Sequence, residues 1–171
     1  DDFSVIAFRQ GTVSGYSPRM RFDLVVNAMF KAAMTTGKVT VNNPAIWRPI
    51  LSIDDAVSAY IRAIEASYKI SGIFNIASGN FTVGELGDIV KEVLEEEFDK
   101  HIDLEIKHIE DFRNYKVTVE KAITTLSFKP KHSVENIVRS LIENLSKYPN
   151  LDDSQYQNIQ VFMSNEIANK S

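Results

Sequence analysis

Arginine is the residue type in this sequence with the clearest chemical meaning. The guanidinium group is planar, and its fork of N–H donors matches two oxygens of a phosphate. Arg48 lies in a strand-like run, Arg113 lies in a loop, and Arg19 and Arg21 stand where a helix is about to begin, which also favours an anion. Two or three such groups, converging with backbone N–H groups or amides, could hold a diphosphate. For each arginine alone a surface salt bridge is the better explanation, but the set predicts a small-anion site.

Other reactive groups are scarce. There is no cysteine, so thiolate metal sites and cysteine nucleophiles are excluded, and no G-x-S-x-G turn precedes a helix. The three histidines, His101, His108 and His132, have no ligand-like partner at helical spacing, so we predict no metal site. The glutamates at 95–97 are typical of a solvated helix face. We assign no catalytic residue to this chain.

Composition and charge limit the possible partners. With 171 residues, 44% of them hydrophobic, the chain is long enough for one ordinary globular domain. Its net charge is −4, which argues against a nucleic-acid surface, whereas residues 1–50 carry six basic and three acidic side chains. A locally positive stretch in an acidic protein favours a small anionic ligand. Without an apolar run of about 18 residues or a signal peptide, we expect a cytoplasmic protein with no membrane partner.

The elements that would position the arginines alternate between strand and helix. Residues 3–8 predict a buried strand, and a turn rich in Gly, Ser and Pro follows at 11–18. Asp23 is the predicted N-cap of an apolar helix that Gly37 ends. Asn27 lies within the apolar stripe of this helix, so we expect its amide either to bond to nearby backbone or to face a ligand cleft.

The rest of the chain continues this alternation. Strands are predicted at 38–41, 46–52, 73–77 and 101–109, and helices after Asp54 or Asp55, after Thr82 to about Phe98, at 118–126, and after Ser133. The helix after Asp54 or Asp55 has an apolar face made of Ala56, Val57, Tyr60, Ile61 and Ile64. Residues 149–171 form a polar tail, in which Tyr156, Ile159, Met163 and Ile167 give a weak amphipathic pattern. It is either a docking segment or partly disordered.

Four segments resemble one known family. They are FRQGTVSGYSPRMRFDLVVN, WRPILSIDDAVSAYIRAIEA, GIFNIASGNFTVGEL and DFRNYKVTVEKAITTLSFKP. In this order they look like the C-terminal half of extended short-chain dehydrogenase/reductases, the NAD-dependent epimerases and dehydratases of nucleotide sugars. The resemblance covers about residues 3–146. It implies an α/β fold in which residues 1–148 form the C-terminal part of a Rossmann-type doubly wound sheet plus a smaller mixed α/β substrate-binding lobe.

The resemblance also implies roles for individual residues. Arg48 and Arg113 would grip the diphosphate of a nucleoside-diphosphate sugar, with Arg19 and Arg21 as further candidates. Asn27 matches a position at which the family often has a phosphate-binding amide. Thr12 occupies a substrate-side position at which many members have Asn, and Ser14 replaces a common aromatic residue. Gln10 and Gly11 would border the nicotinamide end of the cofactor, which is NAD or NADP in the parent enzyme. That enzyme would be a homodimer.

Two elements of the family are missing from the sequence. The seven glycines nowhere form the G-x-x-G-x-x-G turn that receives the cofactor pyrophosphate, and no Tyr is followed four residues later by Lys. We therefore expect the substrate-binding portion of an NAD-dependent epimerase or dehydratase, inactive by itself. Two alternatives remain open. One is a non-enzymatic module that keeps the fold for ligand sensing or protein interaction, and the other is a structural domain with dispersed arginines.

Overall fold

The computed structural model describes residues 3–110, 113–158 and 161 of the protein. It contains seven strands: β1 (Ile6–Gln10), β2 (Thr12–Ser14), β3 (Lys38–Asn42), β4 (Trp47–Ser52), β5 (Gly72–Ile76), β6 (Gly79–Thr82) and β7 (Asp103–Lys107). The five α-helices in this part of the chain are α1 (Val25–Thr36), α2 (Ile53–Glu65), α3 (Val83–Phe98), α4 (Glu120–Leu126) and α5 (Val134–Glu143). None of these helices is long and apolar enough to cross a membrane.

The strands form three small sheets, in which most pairs are parallel. Strand β1 pairs with β5, and β3 pairs with β7. In the third sheet β4 is central, parallel to β2 and antiparallel to β6. Parallel strands need crossover connections, which the helices provide. The predicted α/β fold class is confirmed.

Two hydrophobic clusters stabilise the fold. The larger one joins α1, α3 and α5 to strand β3 through side chains such as Phe30, Val39, Leu94 and Leu141. Helix α3 comes so close to β3 that a Cβ added at Gly87 would lie 2.4 Å from Val41 Cγ2, which explains a glycine inside a helix. The smaller cluster packs α2 and α4 against β5. The division into two clusters matches the predicted combination of sheet strands and a separate lobe.

The predicted helix ends are confirmed at three places. Gly37 ends α1 with a left-handed φ of 74°, a conformation that costs glycine little. Thr82 and Glu85 form the capping box of α3, which runs to Phe98. Ser133 caps α5 together with Asn136.

The two predicted aspartate caps, Asp23 for α1 and Asp54 or Asp55 for α2, are wrong. Helix α1 begins after Leu24 without a side-chain cap, because Asp23 is paired with Arg21 instead. Helix α2 is capped by Ser52, whose hydroxyl accepts from the N–H of Asp54. Asp55 is buried and makes longer-range hydrogen bonds, as described below.

Two short strands lie outside the predicted strands. Residues 12–14 form β2 along β4, and residues 79–82 form β6 on the other side of β4. Both contain Gly, Ser or Asn, which local propensity assigns to turns, but pairing with the buried β4 overrides that preference. The first strand also begins later than predicted, since Phe3 is 84% exposed and β1 starts at Ile6.

An apolar surface is uncovered on helix α2. Its predicted apolar face is only partly buried: Ala56 and Ala59 pack inward, whereas Val57, Tyr60 and Ile61 are about half exposed and Ile64 is 83% exposed. Helix α2 therefore has an apolar face that no described residue covers.

The beginning of the polar tail packs on the domain. Tyr156 contacts the rings of Phe22 and Tyr148 edge to face, and its carbonyl accepts from the N–H of Phe22 at 3.0 Å. Lys31 forms an ion pair with Asp152 at 2.7 Å. Ile159, Met163 and Ile167 of the predicted amphipathic pattern lie outside the described residues.

Candidate functional site

A cavity of about 350 Å³ lies between two of the sheets and helix α1. Thr12 and Arg48 line it from the sheet of β2, β4 and β6, and Thr40 and Asn42 line it from β3. The remaining lining residues belong to helix α1 with its preceding turn, to the first residue of α3, and to the β3–β4 and β7–α4 connections: Asp23, Leu24, Val25, Ala28, Met29, Val83, Ile46, Ile109 and Arg113. The cavity is therefore assembled from segments far apart in sequence.

Arg48 is the buried cation of this cavity. Its residue is only 9% exposed, and Nη1 donates to the carbonyl oxygens of Trp47, at 3.0 Å, and of Arg113. The N–H of Trp47 in turn donates to Asn114 Oδ1 at 2.9 Å. These bonds attach the loop around residue 113 to the start of β4. Two arginines that are 65 residues apart in sequence thus meet at one cavity.

Asp23 adds one negative charge to the cavity wall. Its carboxylate accepts two hydrogen bonds from Arg21, from Nε at 3.1 Å and from Nη2 at 2.9 Å. Burial raises the pKa of Asp23, but the hydrogen bonds and the charge of Arg21 outweigh this effect and leave the pKa below its usual value. Asp23 is therefore ionised and paired at neutral pH. Arg48 and Arg113 contribute two positive charges to the same lining.

Thr12 joins the two arginines at the cavity. It pairs in register with Ile50, two residues beyond Arg48 on β4. Its hydroxyl can both donate and accept a hydrogen bond. Of the predicted substrate-binding residues, the fold brings Thr12, Arg48 and Arg113 together.

Asn27 supports the turn beside the cavity and does not line it. The residue is 2% exposed, Oδ1 accepts from the N–H of Gly15 at 3.2 Å, and Nδ2 donates to the carbonyl of Arg21 at 3.0 Å. The sequence left open whether this amide bonds to nearby backbone or faces a ligand cleft, and the structure shows the bonds to backbone. Asn27 thereby holds the segment that carries Arg21.

The other predicted arginines lie outside the cavity lining. Arg21 is engaged with Asp23, as described above, and reaches the cavity only through that carboxylate. Arg19 Nη2 donates to Asn158 Oδ1 at 3.3 Å, which ties it to the C-terminal segment.

The predicted cofactor-side residues also lie elsewhere. Gln10 Nε2 donates to the hydroxyl of Tyr60 on α2 at 2.8 Å, and the N–H of Gly11 donates to the carbonyl of Ile76 at 2.8 Å. Neither residue lines the cavity. Gln10 lies beside the uncovered face of α2, whereas its neighbour Thr12 reaches the cavity.

Two polar residues of the lining were not anticipated from the sequence. Thr40 and Asn42 alternate along β3, so both side chains are on one face of that strand. Asn42 is followed by Asn43 and Pro44, and because asparagine is common in turns, the sequence favours a turn at this position. The alternation of polar residues along β3 is the signal that could have identified them.

A second polar cluster surrounds Asp55, at the start of α2. Its carboxylate accepts from Ser78 Oγ at 2.6 Å and from the backbone N–H groups of Lys131 and His132 at 2.9 and 3.2 Å. His132 Nδ1 lies 2.9 Å from Asp55 Oδ1. Burial raises the pKa of Asp55, but the hydrogen bonds from Ser78, His132 and the backbone outweigh it, so the pKa lies below its usual value. Both Ser78 and His132 bind the carboxylate, and the cluster connects α2 to the segment before α5.

No protein-family model matches the chain. Among similar solved structures, MoeE5 in complex with UDP-glucuronic acid and NAD is 22% identical, with a TM-score of 0.68 and with 84% of this chain and 48% of that chain covered. UDP-glucose 4-epimerase from Bifidobacterium longum, in complex with NAD⁺ and UDP, is 15% identical, with a TM-score of 0.67 over 87% of this chain and 49% of that chain. RMD from Pseudomonas aeruginosa, complexed with NADPH, is 14% identical, with a TM-score of 0.68 over 84% and 48%.

The chain spans about half the length of the structures it matches. At these identities the comparison concerns the fold. It confirms the fold implied by the resemblance to extended short-chain dehydrogenase/reductases, over about half the length of those structures.

Proposed function

We propose that the cavity binds the diphosphate of a nucleoside-diphosphate sugar, and that the chain is the substrate-binding portion of an NAD- or NADP-dependent epimerase or dehydratase. The observation that carries this proposal is the meeting of buried Arg48 with Arg113 and Thr12 at one cavity. The similar structures support it, because two of them hold UDP or a UDP-sugar. The substrate of this chain belongs to the same chemical class.

A diphosphate fits the chemistry of the cavity wall. Arginine can offer two parallel N–H donors to one phosphate, and a buried guanidinium acts in surroundings of lower polarity than water, so its attraction to an anion is less screened. Arg113 lines the same cavity and, unlike Arg48, is exposed. One buried and one accessible arginine match the two phosphates of the ligand.

The chain by itself lacks the groups for the reaction. Its sequence contains neither the glycine-rich turn for a cofactor pyrophosphate nor a Tyr with Lys four residues later. In the parent enzyme the cofactor, when bound, exchanges a hydride with the sugar. We assign the residues of this chain no step of that exchange, only the binding and orientation of the substrate.

The apolar face of α2 supports a second half in the parent enzyme. Parallel sheets are usually buried within larger α/β units. Among the described residues, however, β1 pairs only with β5, so this sheet has only two strands. Val57, Ile61 and Ile64 of α2 are also exposed. A further α/β unit would bury this surface. The chain spans less than half of the similar structures' length, so such a unit has room in a parent of their size.

Calorimetric titration with UDP, dTDP, CDP and GDP tests the proposal. We expect at least one of them to bind, and Arg113→Ala to weaken its affinity about tenfold or more, since a hydrogen bond to a charged group contributes about 1.5–3 kcal/mol. Arg48→Lys should weaken it similarly while keeping a cation at the buried position. The control is Arg62→Ala, on the exposed side of α2, which should bind as the wild type does.

The circular dichroism spectrum of each variant shows whether it is folded. The proposal is wrong if none of the four nucleotides binds, or if Arg113→Ala and Arg48→Lys bind as tightly as the Arg62→Ala control.

A further inference from the structure

Residues 150–158 form a C-terminal strap on the turn between β2 and α1. The carbonyl of Tyr156 accepts from the N–H of Phe22 at 3.0 Å, and Oδ1 of Asn158 accepts from Arg19 Nη2 at 3.3 Å. The N–H of Asn158 also donates to the carboxylate of Asp23. The strap therefore holds the end of this turn, directly before α1.

Aromatic packing and an ion pair attach the strap more firmly. The rings of Tyr156, Phe22 and Tyr148 contact one another edge to face, and the centroids of each pair are 5.5 Å apart. Asp152 pairs with Lys31 on α1 at 2.7 Å. The strap is thus bound both to α1 and to the turn that precedes it.

The same turn forms part of the cavity wall. Asp23 and Leu24 line the cavity, and α1 begins after Leu24 without a side-chain cap that would fix its start. The amide of Asn27 also holds the turn, but it bonds to Gly15 and Arg21, neither of which lines the cavity. The strap bonds directly to Asp23, which does.

The charge of Asp23 makes the position of this wall important for an anion. Its carboxylate lines the same cavity as Arg48 and Arg113. The hydrogen bonds from Arg21 and from the N–H of Asn158 compensate the negative charge. Release of the strap would remove one of these donors and loosen the turn. An anionic ligand would then meet a less compensated carboxylate on a less ordered wall.

We propose that Tyr156 and Asn158 are positioning residues of the cavity, and that the bound strap preorganises the wall at Asp23 for an anionic ligand. This inference rests on the proposed function, and it assigns the strap no contact with the ligand. A preorganised wall loses less conformational entropy when the ligand binds. Because coupling between two sites is reciprocal, a bound nucleotide in turn holds the strap on the turn.

Calorimetric titration of two Tyr156 variants measures the effect of the strap on binding. The ligand is the one of UDP, dTDP, CDP and GDP that binds the wild type most tightly. Tyr156→Ala removes the ring contacts and should weaken the affinity at least fivefold, which is about the lower end of the usual coupling between two sites. Tyr156→Phe keeps the ring and should bind within twofold of the wild type.

The matched control for stability is Leu126→Ala. Leu126 is 5% exposed and belongs to the small cluster of α2 and α4, whereas Tyr156 packs against the larger cluster. Leu126→Ala should lower the melting temperature, because it leaves a cavity in the core. The folded variant should nevertheless bind the nucleotide within twofold of the wild type, so that general destabilisation is separated from positioning.

Hydrogen exchange of the wild type tests the reciprocal effect without any substitution. The backbone N–H groups of Phe22 and Asn158 connect the turn and the strap, so saturating nucleotide should slow their exchange at least fivefold. The control is the N–H of Ile70, which donates to the carbonyl of Ser67 at 2.8 Å in the turn after α2. Its exchange should be the same with and without nucleotide. This measurement also decides the question if Tyr156→Ala does not fold.

Three results would overturn the inference. If the wild type binds a nucleotide and Tyr156→Ala binds it within twofold as tightly, the strap only stabilises the fold, although the arginine site stands. If saturating nucleotide leaves the exchange of Phe22 and Asn158 unchanged, the strap and the cavity are not coupled. If the wild type binds none of the four nucleotides, the proposed function fails and this inference fails with it.

Discussion

Removal of the Asp55 carboxylate should destabilise the protein more than any exposed substitution nearby. Asp55 is 1% exposed and accepts hydrogen bonds from Ser78 and from the backbone of Lys131 and His132, which lie 76 and 77 residues further along the chain. It therefore closes a long-range contact between the start of α2 and the segment before α5. Asp55→Ala leaves these donors without their acceptor.

The expected loss follows from the number of donors. A hydrogen bond to a charged group contributes about 1.5–3 kcal/mol, but contributions within one network are not additive. Removing one partner of a buried charged network usually costs about 3–5 kcal/mol, and we expect Asp55→Ala to lie in this range. For a chain of this length that corresponds to about 2–4 °C of melting temperature per kcal/mol.

The matched control is the adjacent Asp54. It is exposed and lies in the same first helical turn, so Asp54→Ala loses only its interaction with the helix dipole, about 0.3–1 kcal/mol. Urea unfolding, followed by circular dichroism and by the fluorescence of Trp47, measures both free energies. If Asp55→Ala and Asp54→Ala differ by less than about 1 kcal/mol, the carboxylate does not hold these segments together.

Two further predictions concern acid stability and the turn beside the cavity. The pKa of Asp55 is below its usual value of 3.8 in the folded state, so its carboxylate contributes stability that is complete above about pH 5 and is lost as the pH falls through 3.8 toward the folded-state pKa. Urea unfolding from pH 6 to pH 3 should therefore show a weaker pH dependence for Asp55→Asn than for the wild type and Asp54→Asn, and equal slopes would contradict this assignment. Asn27→Ala should lower the free energy of unfolding by about 1–3 kcal/mol, because it removes the bonds to Gly15 and Arg21. The affinity of the folded variant for the nucleoside diphosphate that binds the wild type most tightly should change less than threefold; a large loss of affinity at unchanged stability would instead favour the direct phosphate contact that the resemblance implies.

Local features of the sequence were sufficient to predict most helices and their ends. Gly37, Thr82 with Glu85, and Ser133 determine helix ends through their own backbone conformation or through bonds to residues three positions away. Such interactions depend only on near neighbours, so they can be inferred from spacing. The alternation of strands and helices likewise predicted the α/β class, and the four family-like segments predicted the architecture.

Short strands and buried acids could not be predicted in the same way. Residues 12–14 and 79–82 are strands because each pairs with β4, and that pairing outweighs the turn preference of their own residues. Asp54 and Asp55 are neighbours with the same side chain. They differ because the backbone N–H groups of Lys131 and His132, far along the chain, donate to the carboxylate of Asp55.

The candidate site shows the same division between composition and tertiary structure. The sequence by itself predicted the chemistry that we propose, because arginine is the side chain that best matches a diphosphate. Only the tertiary structure decided that Arg48 and Arg113 share a cavity with Thr12, that Arg21 is paired with Asp23, and that Oδ1 of Asn42 is buried without a hydrogen-bond partner. The physical reason is that convergence and burial depend on contacts between segments distant in the chain, which residue types and local spacing do not specify.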